Sequence, residues 1–192
     1  AYLRCIPNMI ISAPCNELEL RNMMYTATIT PKPFSIRYPR GKGANVKWKN
    51  QPFTEIPIGK GICLQEGKDI AILSIGHITN DAIVAANKLK DNGINIAVYN
   101  MRFLKPLDEH LLHDVCKQYK TILTLENGCR IGGLGSAVAE FISQHHYNNR
   151  LHIMGIPDMF IEQGTVAQLH KLCKIDVDSI IQSILTLKKE MD

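Results

Sequence analysis

Ile70-Ala71-Ile72-Leu73-Ser74-Ile75-Gly76-His77-Ile78-Thr79 is a short, nearly unbroken apolar run that ends at a glycine and leads into a capping residue type. The run has no polar alternation, which suits a strand covered on both faces. Thr79 is placed to cap a helix that carries Ala82, Ile83, Ala86 and Leu89 on one side. The same unit recurs. Apolar strands are expected at Ile94 to Tyr99, Thr121 to Leu125 and Leu151 to Met154, and each is followed by a helical pattern. Asp108 can cap a helix with Leu111, Leu112 and Val115, and Val138, Phe141 and Ile142 mark another. A last helix from about Asp178 carries Ile181, Ile184 and Leu185. The strand starts lie 24, 27 and 30 residues apart, a spacing that suits β-α units with right-handed crossovers. The pattern predicts an α/β fold: a mostly parallel sheet with helices on both faces, and Gly61 to Leu64 as a short edge strand.

Upstream of this repeat the chain is different. Met9 to Ala13 reads as a strand, Asn16 caps a helix that opens with Glu17 and Glu19, and Phe34 to Tyr38 is a second strand. This β-α-β remnant of another α/β domain is too small to close a core alone. Gly41 to Pro57, rich in turn residues and without periodicity, reads as a linker. The expected division is residues 1–50 as a domain tail with linker and 51–192 as a second domain. The opening Ala1-Tyr2-Leu3-Arg4-Cys5 carries no signal-peptide pattern, and we expect a piece of a longer polypeptide. Its longest apolar runs fall far short of the roughly 18 residues of a membrane span.

Charge narrows the function. Residues 1–50 hold eight Lys/Arg against two acids, whereas 51–192 hold fourteen against sixteen. The excess gathers at Arg37-Tyr38-Pro39-Arg40-Gly41-Lys42-Gly43, Lys47 and Lys49, without the interleaved aromatics of a nucleic-acid surface. A small anionic ligand fits better. Six cysteines are scattered with no C-x-x-C pair, as expected of reduced thiols, and the histidines, including His110, His113, His145 and His146, have no metal-ligand spacing. No metal site is expected.

In an open parallel sheet ligands favour the carboxyl ends of strands. Those positions hold Gly76-His77, Arg102, Glu126-Asn127-Gly128 and Pro157-Asp158. Ile131-Gly132-Gly133-Leu134-Gly135-Ser136 could hold an anion on helix amides, but it matches neither a dinucleotide fingerprint nor a P-loop, so a tight turn or domain contact is the alternative. Glu126 reads either as a general acid or as a carboxylate capping neighbouring amides. Arg37 belongs to the strand and suits a structural ion pair. Arg40 lies in the Pro/Gly loop, where it can bind a phosphate through two parallel hydrogen bonds or form a surface salt bridge.

Several motifs, in order, carry a resemblance: Tyr2 to Asn8; Pro33-Phe34-Ser35-Ile36-Arg37-Tyr38-Pro39-Arg40-Gly41; Ile58-Gly59-Lys60-Gly61; Met101 to Asp108; Glu126-Asn127 with Gly132 to Ser136; and Pro157 to Thr165. Together they resemble the carboxy-terminal third of the 1-deoxy-D-xylulose-5-phosphate synthase family over essentially the whole chain. Transketolases and the beta chains of 2-oxoacid dehydrogenases share the carboxy-terminal fold but lack the Arg-Tyr-Pro-Arg-Gly element. The resemblance implies an enzyme that condenses pyruvate with D-glyceraldehyde 3-phosphate at thiamine diphosphate held by Mg²⁺, on the route to isoprenoids and thiamine. It implies that the cofactor motifs, the activating glutamate and the active-site histidines lie upstream of Ala1, and that Arg40 binds the acceptor's phosphate. It further implies a transketolase-type carboxy-terminal domain, a homodimer in the cytoplasm, and no activity or bound cofactor in this piece alone. A stand-alone binding or assembly module that uses the Gly132 to Ser136 loop, and a dehydrogenase beta chain, are the other readings.

Overall fold

The computed structural model describes residues 1–41 and 43–191. Lys42, counted above in the basic cluster, and Asp192 lie outside the described residues. After a 3₁₀ turn at Tyr2–Cys5, the first segment folds as β1 (Ile10–Ser12), α1 (Glu17–Ile29) and β2 (Phe34–Ile36). The second segment runs β3 (Ile62–Gln65), β4 (Ile70–Ile75), α2 (Thr79–Lys90), β5 (Ile96–Asn100), β6 (Phe103–Lys105) and α3 (Glu109–Gln118). It continues with β7 (Thr121–Cys129), α4 (Leu134–Gln144), β8 (Arg150–Ile156), α5 (Val166–Leu172) and α6 (Val177–Lys189).

Five strands form the larger sheet in the order β3-β5-β4-β7-β8, with β5, β4, β7 and β8 parallel and β3 antiparallel at the edge. Side chains alternate faces along a strand, and both faces of β4 are buried, so its odd and even residues serve two cores. Ile70 and Ile72 pack with Ile96, Val98, Leu123 and Leu125 beneath Ala82, Ala86 and Leu89 of α2 and Ile180, Ile184 and Leu187 of α6. Ala71 and Leu73 pack on the opposite face with Ala97, Ile122, Leu112 and Val115 of α3, and Val138 and Phe141 of α4. The unpatterned apolar run Ile70–Ile75 is therefore the central strand of a three-layer domain, with helices on both faces as expected.

The remnant does not close its own core. β1 and β2 pair in parallel, and β1 takes β6 as its antiparallel neighbour, giving a second sheet in the order β2-β1-β6. Phe103 of β6 completes a small core with Ile10, Met23 and Ile56. Neither β6 nor α5 is among the elements expected from sequence. Three residues between a turn and a proline carry no readable period, and the seven residues of α5 are too few for one.

Asn16 and Asp108 cap as expected: Asn16 Oδ1 accepts from Glu19 N at 2.9 Å, and Asp108 Oδ1 accepts from Leu111 N at 3.2 Å. Thr79 does not cap. The residue before it, Ile78, already has helical backbone angles (φ −63°, ψ −13°), so no extended residue precedes the helix to present a side chain to its amides. Thr79 becomes the first helical residue, and its buried hydroxyl has no hydrogen-bond partner among the described residues. The linker, without helix or strand among its described residues, is tied along α1. Ile56 N donates to Thr26 Oγ1 at 2.9 Å, Thr54 N to Asn22 Oδ1 at 3.2 Å, and Arg21 donates to the carbonyls of Trp48 and Gln51.

A buried polar cluster holds the two segments together. The Glu19 side chain, 6% exposed, accepts from Arg102 Nε at 2.6 Å, from Asn100 Nδ2 at 3.1 Å and from Cys15 N at 2.7 Å. Taking one partner from such a pair leaves a charge without compensation, at a cost of roughly 3–5 kcal/mol. Arg102→Ala should therefore lower the unfolding free energy of the chain by about that amount in urea titration followed by Trp48 fluorescence. The double variant Glu19→Gln/Arg102→Gln should cost clearly less than the two single changes added together.

Candidate functional site

Four loops converge at the carboxyl ends of β1, β2, β4 and β7. The turn at Gly76, with φ of +81°, brings the end of β4 so close to Ala13 that a Cβ at 76 would stand 3.3 Å from the Ala13 Cβ and 3.8 Å from Asn127 Oδ1. Asn80 Nδ2 donates to the Cys15 carbonyl at 2.8 Å and to the His77 carbonyl at 2.7 Å. A cavity of about 260 Å³ opens among these loops, with Cys15, Asn16, Tyr38, Pro39, Gly41 and His77 in its lining. The structure thus brings together His77, the Arg37–Gly41 loop and Asn127. Pro157 and Asp158 follow the outer strand β8 and take no part in these contacts.

The two arginines of the loop are treated differently. Arg37 N donates to Ser12 O at 2.9 Å, so its backbone still follows the pairing of β2 with β1. Its guanidinium donates twice to one residue, Nη1 to Asn127 Oδ1 at 2.7 Å and Nη2 to Asn127 O at 2.6 Å. The structural partner expected for Arg37 is an amide rather than a carboxylate. Arg40 is exposed and makes no hydrogen bond or ion pair with any described residue. Of the two guanidinium groups, the one at 40 is free to meet an anion.

Glu126 sits at the end of β7, 6% exposed. Its Oε1 accepts from Gly135 N at 3.2 Å, which places the carboxylate on the amino end of α4. Burial pushes its pKa upward, opposed by the amides of Gly135 and Leu134 and by the Arg37 charge. A Cβ at position 133 would stand 2.2 Å from Glu126 Oε2, and one at 135 would meet Ile153 at 2.3 Å. The glycine run is the space the carboxylate and β8 require, and its helix amides already have an anion in Glu126. The tight-turn reading of this loop accounts for its geometry. The loop also touches the chain start, where Arg4 Nη1 donates to Gly132 O at 3.4 Å and Arg4 forms an ion pair with Glu140.

Other reactive groups are used locally. The buried Cys15 thiol is pushed well up by burial and by the Glu19 carboxylate, which disfavours the thiolate. All six cysteines are free. His113 Nδ1 lies 2.9 Å from Tyr147 Oη in an aromatic group with Phe141 and His145. Among the described residues no three His, Cys, Asp or Glu side chains are grouped to hold a metal ion. No helix among them is long and apolar enough to cross a membrane. Residues missed in sequence are Asn100 and Glu19, which hold Arg102, and Asn127 as the partner of Arg37. Asn127 stands among the strand-end positions named above, but nothing in the sequence links it to position 37.

The fold agrees with the known proteins that the chain resembles. Residues 59–180 match the family model of the transketolase C-terminal domain, and the chain belongs to that family. It is 50% identical over 189 residues to the 1-deoxy-D-xylulose-5-phosphate synthase of Cytophaga hutchinsonii, a match that takes in 97% of this chain and 30% of the relative. It is 52% identical over 187 residues to the synthase of Bacteroides thetaiotaomicron, covering 96% of this chain and 29% of the relative. The chain therefore spans about 30% of the length of these curated relatives. Among solved structures, a split-gene transketolase described as an inactive β4 tetramer superposes with a TM-score of 0.81 at 28% identity, over 97% of this chain and 59% of that one. The Campylobacter jejuni transketolase shares the fold, with a TM-score of 0.64 at 17% identity over 96% of this chain and 27% of its own.

The raised pKa of Glu126 has a definite sign in stability. In the unfolded chain this carboxyl ionises near 4.5, while in the folded protein burial makes it keep its proton to higher pH. The folded state then binds more protons across that interval, so the unfolding free energy falls as pH rises through and above 4.5. Glu126→Gln removes this contribution. Thermal melts of both proteins between acid and neutral pH should show the variant gaining in Tm relative to the parent as pH increases.

Proposed function

We propose that this chain supplies the acceptor-phosphate contact, through Arg40, of a thiamine-diphosphate-dependent synthase that condenses pyruvate with D-glyceraldehyde 3-phosphate to 1-deoxy-D-xylulose 5-phosphate and CO₂. The observation that carries the reading is the exposed Arg40 guanidinium, without a partner among the described residues, just beyond the carboxyl end of β2, in a chain half identical to such synthases. A phosphate dianion matches a planar guanidinium through two parallel charge-assisted hydrogen bonds. The product would feed isoprenoid and thiamine synthesis, and the enzyme would work as a cytoplasmic homodimer built from the longer polypeptide.

The residues present do not fit thiamine diphosphate and Mg²⁺. The one glycine-rich helix amino end among the described residues carries Glu126, and no three possible ligands are grouped there for a cation. No step is assigned to the cofactor within this chain, and in the proposal both of its ends are held by other parts of the enzyme. The same carboxylate removes the feature on which a nucleotide-binding stand-alone module would depend. Calorimetric titration of the isolated 192-residue chain with thiamine diphosphate and Mg²⁺ should show no binding, and micromolar affinity would contradict this division of labour.

In the complete enzyme, Arg40→Ala should impair the phosphorylated acceptor and leave the pyruvate half-reaction near its normal rate. A lost hydrogen bond to a charged group is worth roughly 1.5–3 kcal/mol. At about 1.4 kcal/mol per decade this is a fall of about 10- to 150-fold in kcat/KM for D-glyceraldehyde 3-phosphate. Arg40→Lys should recover part of it, keeping charge but losing the fork. Equal losses for phosphorylated and unphosphorylated glyceraldehyde would show that Arg40 does not read the phosphate.

A further inference from the structure

We infer that Asn127 is a positioning residue for the acceptor: by holding both terminal nitrogens of Arg37, it fixes the direction in which the chain leaves β2 and so places Arg40. The inference deepens the reading of Arg40 given above and rests on it. Three observations support it. The first is the double contact itself, 2.7 Å to the side-chain oxygen and 2.6 Å to the carbonyl of one residue ninety positions away. Arg37 is otherwise exposed, so this contact is what orders its side chain.

The second is the backbone around Asn127. The register of β7 against β8 is regular from Thr121 to Leu125, then shifts before pairing resumes at Cys129 with Ile156. Residues 126–128 have no register partner on β8, although Glu126 still pairs with Ile75 of β4, and the Asn127 carbonyl in this irregular stretch accepts from Arg37. A bulge re-aims residues at the rim of a sheet and commonly does so beside a functional site.

The third is that the support under Asn127 is rigid while the loop beyond Arg37 is not self-supporting. Glu126, the preceding residue, is anchored on the amino end of α4 through Gly135 N. The end of β4 lies beside Asn127, where a Cβ at position 76 would stand 3.8 Å from Asn127 Oδ1. On the other side, Tyr38 is 61% exposed and Arg40 has no described partner. The last fixed point before Arg40 is therefore the Arg37 guanidinium, and Asn127 is its only side-chain partner among the described residues. Asparagine suits this position because its amide oxygen accepts from Arg37 while adding no negative charge that would compete with an incoming phosphate.

The test uses the complete enzyme with D-glyceraldehyde 3-phosphate and with unphosphorylated glyceraldehyde, alongside Arg40→Ala. Asn127→Ala should raise KM for the phosphorylated acceptor about tenfold, with kcat and the pyruvate half-reaction changed less than about twofold, and should shrink the preference for the phosphorylated acceptor. Asn127→Asp, which keeps an acceptor for Arg37 but adds a charge near the incoming phosphate, should recover only part of the loss, with a KM between those of the parent and Asn127→Ala. In a cycle with Arg37→Ala the two losses should not add, because the bond that Asn127→Ala breaks is one of the two that Arg37→Ala removes. Should Asn127→Ala fail to fold, the Asn127→Asp and Arg37→Ala arms still decide: an unchanged phosphate preference in Arg37→Ala overturns the inference. Equal loss for both acceptors, or additive losses in the cycle, would mean that Asn127 only stabilises the fold. If Arg40→Ala destroys phosphate preference and Asn127→Ala does not, the positioning role alone falls. If Arg40→Ala leaves that preference intact, the reading of Arg40 falls and this inference with it.

Discussion

Glu19 is a carboxylate with little access to water, and the relation between the two segments depends on how it is satisfied. Burying an ionised carboxyl is costly unless it is both paired and hydrogen bonded. Here the ion pair comes from Arg102 and the further bonds from Asn100 and the Cys15 amide. Arg102 serves both segments with its backbone as well. Its N donates to Asn100 Oδ1 at 3.1 Å, its carbonyl accepts from Ala13 N at 2.9 Å, and its φ of +57° makes the tight turn between β5 and β6 possible. That turn delivers β6 to β1. The first segment thus gains a third strand and Phe103 for its core because one buried charge is answered from the second segment.

The second buried carboxylate, Glu126, is answered differently. Among the described residues it has no direct ion-pair partner and leans on the amides of α4, with the Arg37 charge further off. Helix amides supply only partial charge, so burial is incompletely offset and the acid form gains. Three glycines follow from this packing: position 133 admits the carboxylate, 135 admits the β8 side of the helix contact, and a Cβ at 128 would stand 3.1 Å from the same acid. A loop that looks suited to a phosphate is instead shaped around an internal anion.

The larger sheet was legible in sequence because its central strands are buried on both faces and followed by helices with their own cap or apolar stripe. Ile70 to Ile75 shows this most clearly. β6 was not legible, because Phe103–Lys105 owes its strand state to β1 and not to any pattern of its own. Thr79 shows a different limit: its residue type suits a cap, but Ile78 is already helical and the capping geometry never forms. Arg37 and Arg40 were separable in kind, since period and proline distinguish strand from loop. What Arg37 would bind was not, because Asn127 reaches it only through the packing of two sheets.

The arginines also bear on why the proposed phosphate site would draw on both segments. A guanidinium that is to bind phosphate must be unpaired beforehand, and an unpaired long side chain loses more conformational entropy when it binds than one already held. Holding Arg40 directly would occupy the donors it needs. Holding Arg37 instead restricts the backbone just upstream and leaves the Arg40 donors free. The partner for Arg37 does not come from the neighbouring helix, where Asn16 accepts from Glu19 N, Asn22 from Thr54 N, Glu17 from Asn45 N and Glu19 from Arg102. It comes from the end of β7, where the ladder opens and a carbonyl and an amide oxygen face the same guanidinium. Order is thus imposed on the loop from the sheet of the second segment, while the donors of Arg40, which the proposed phosphate contact would use, stay on the first.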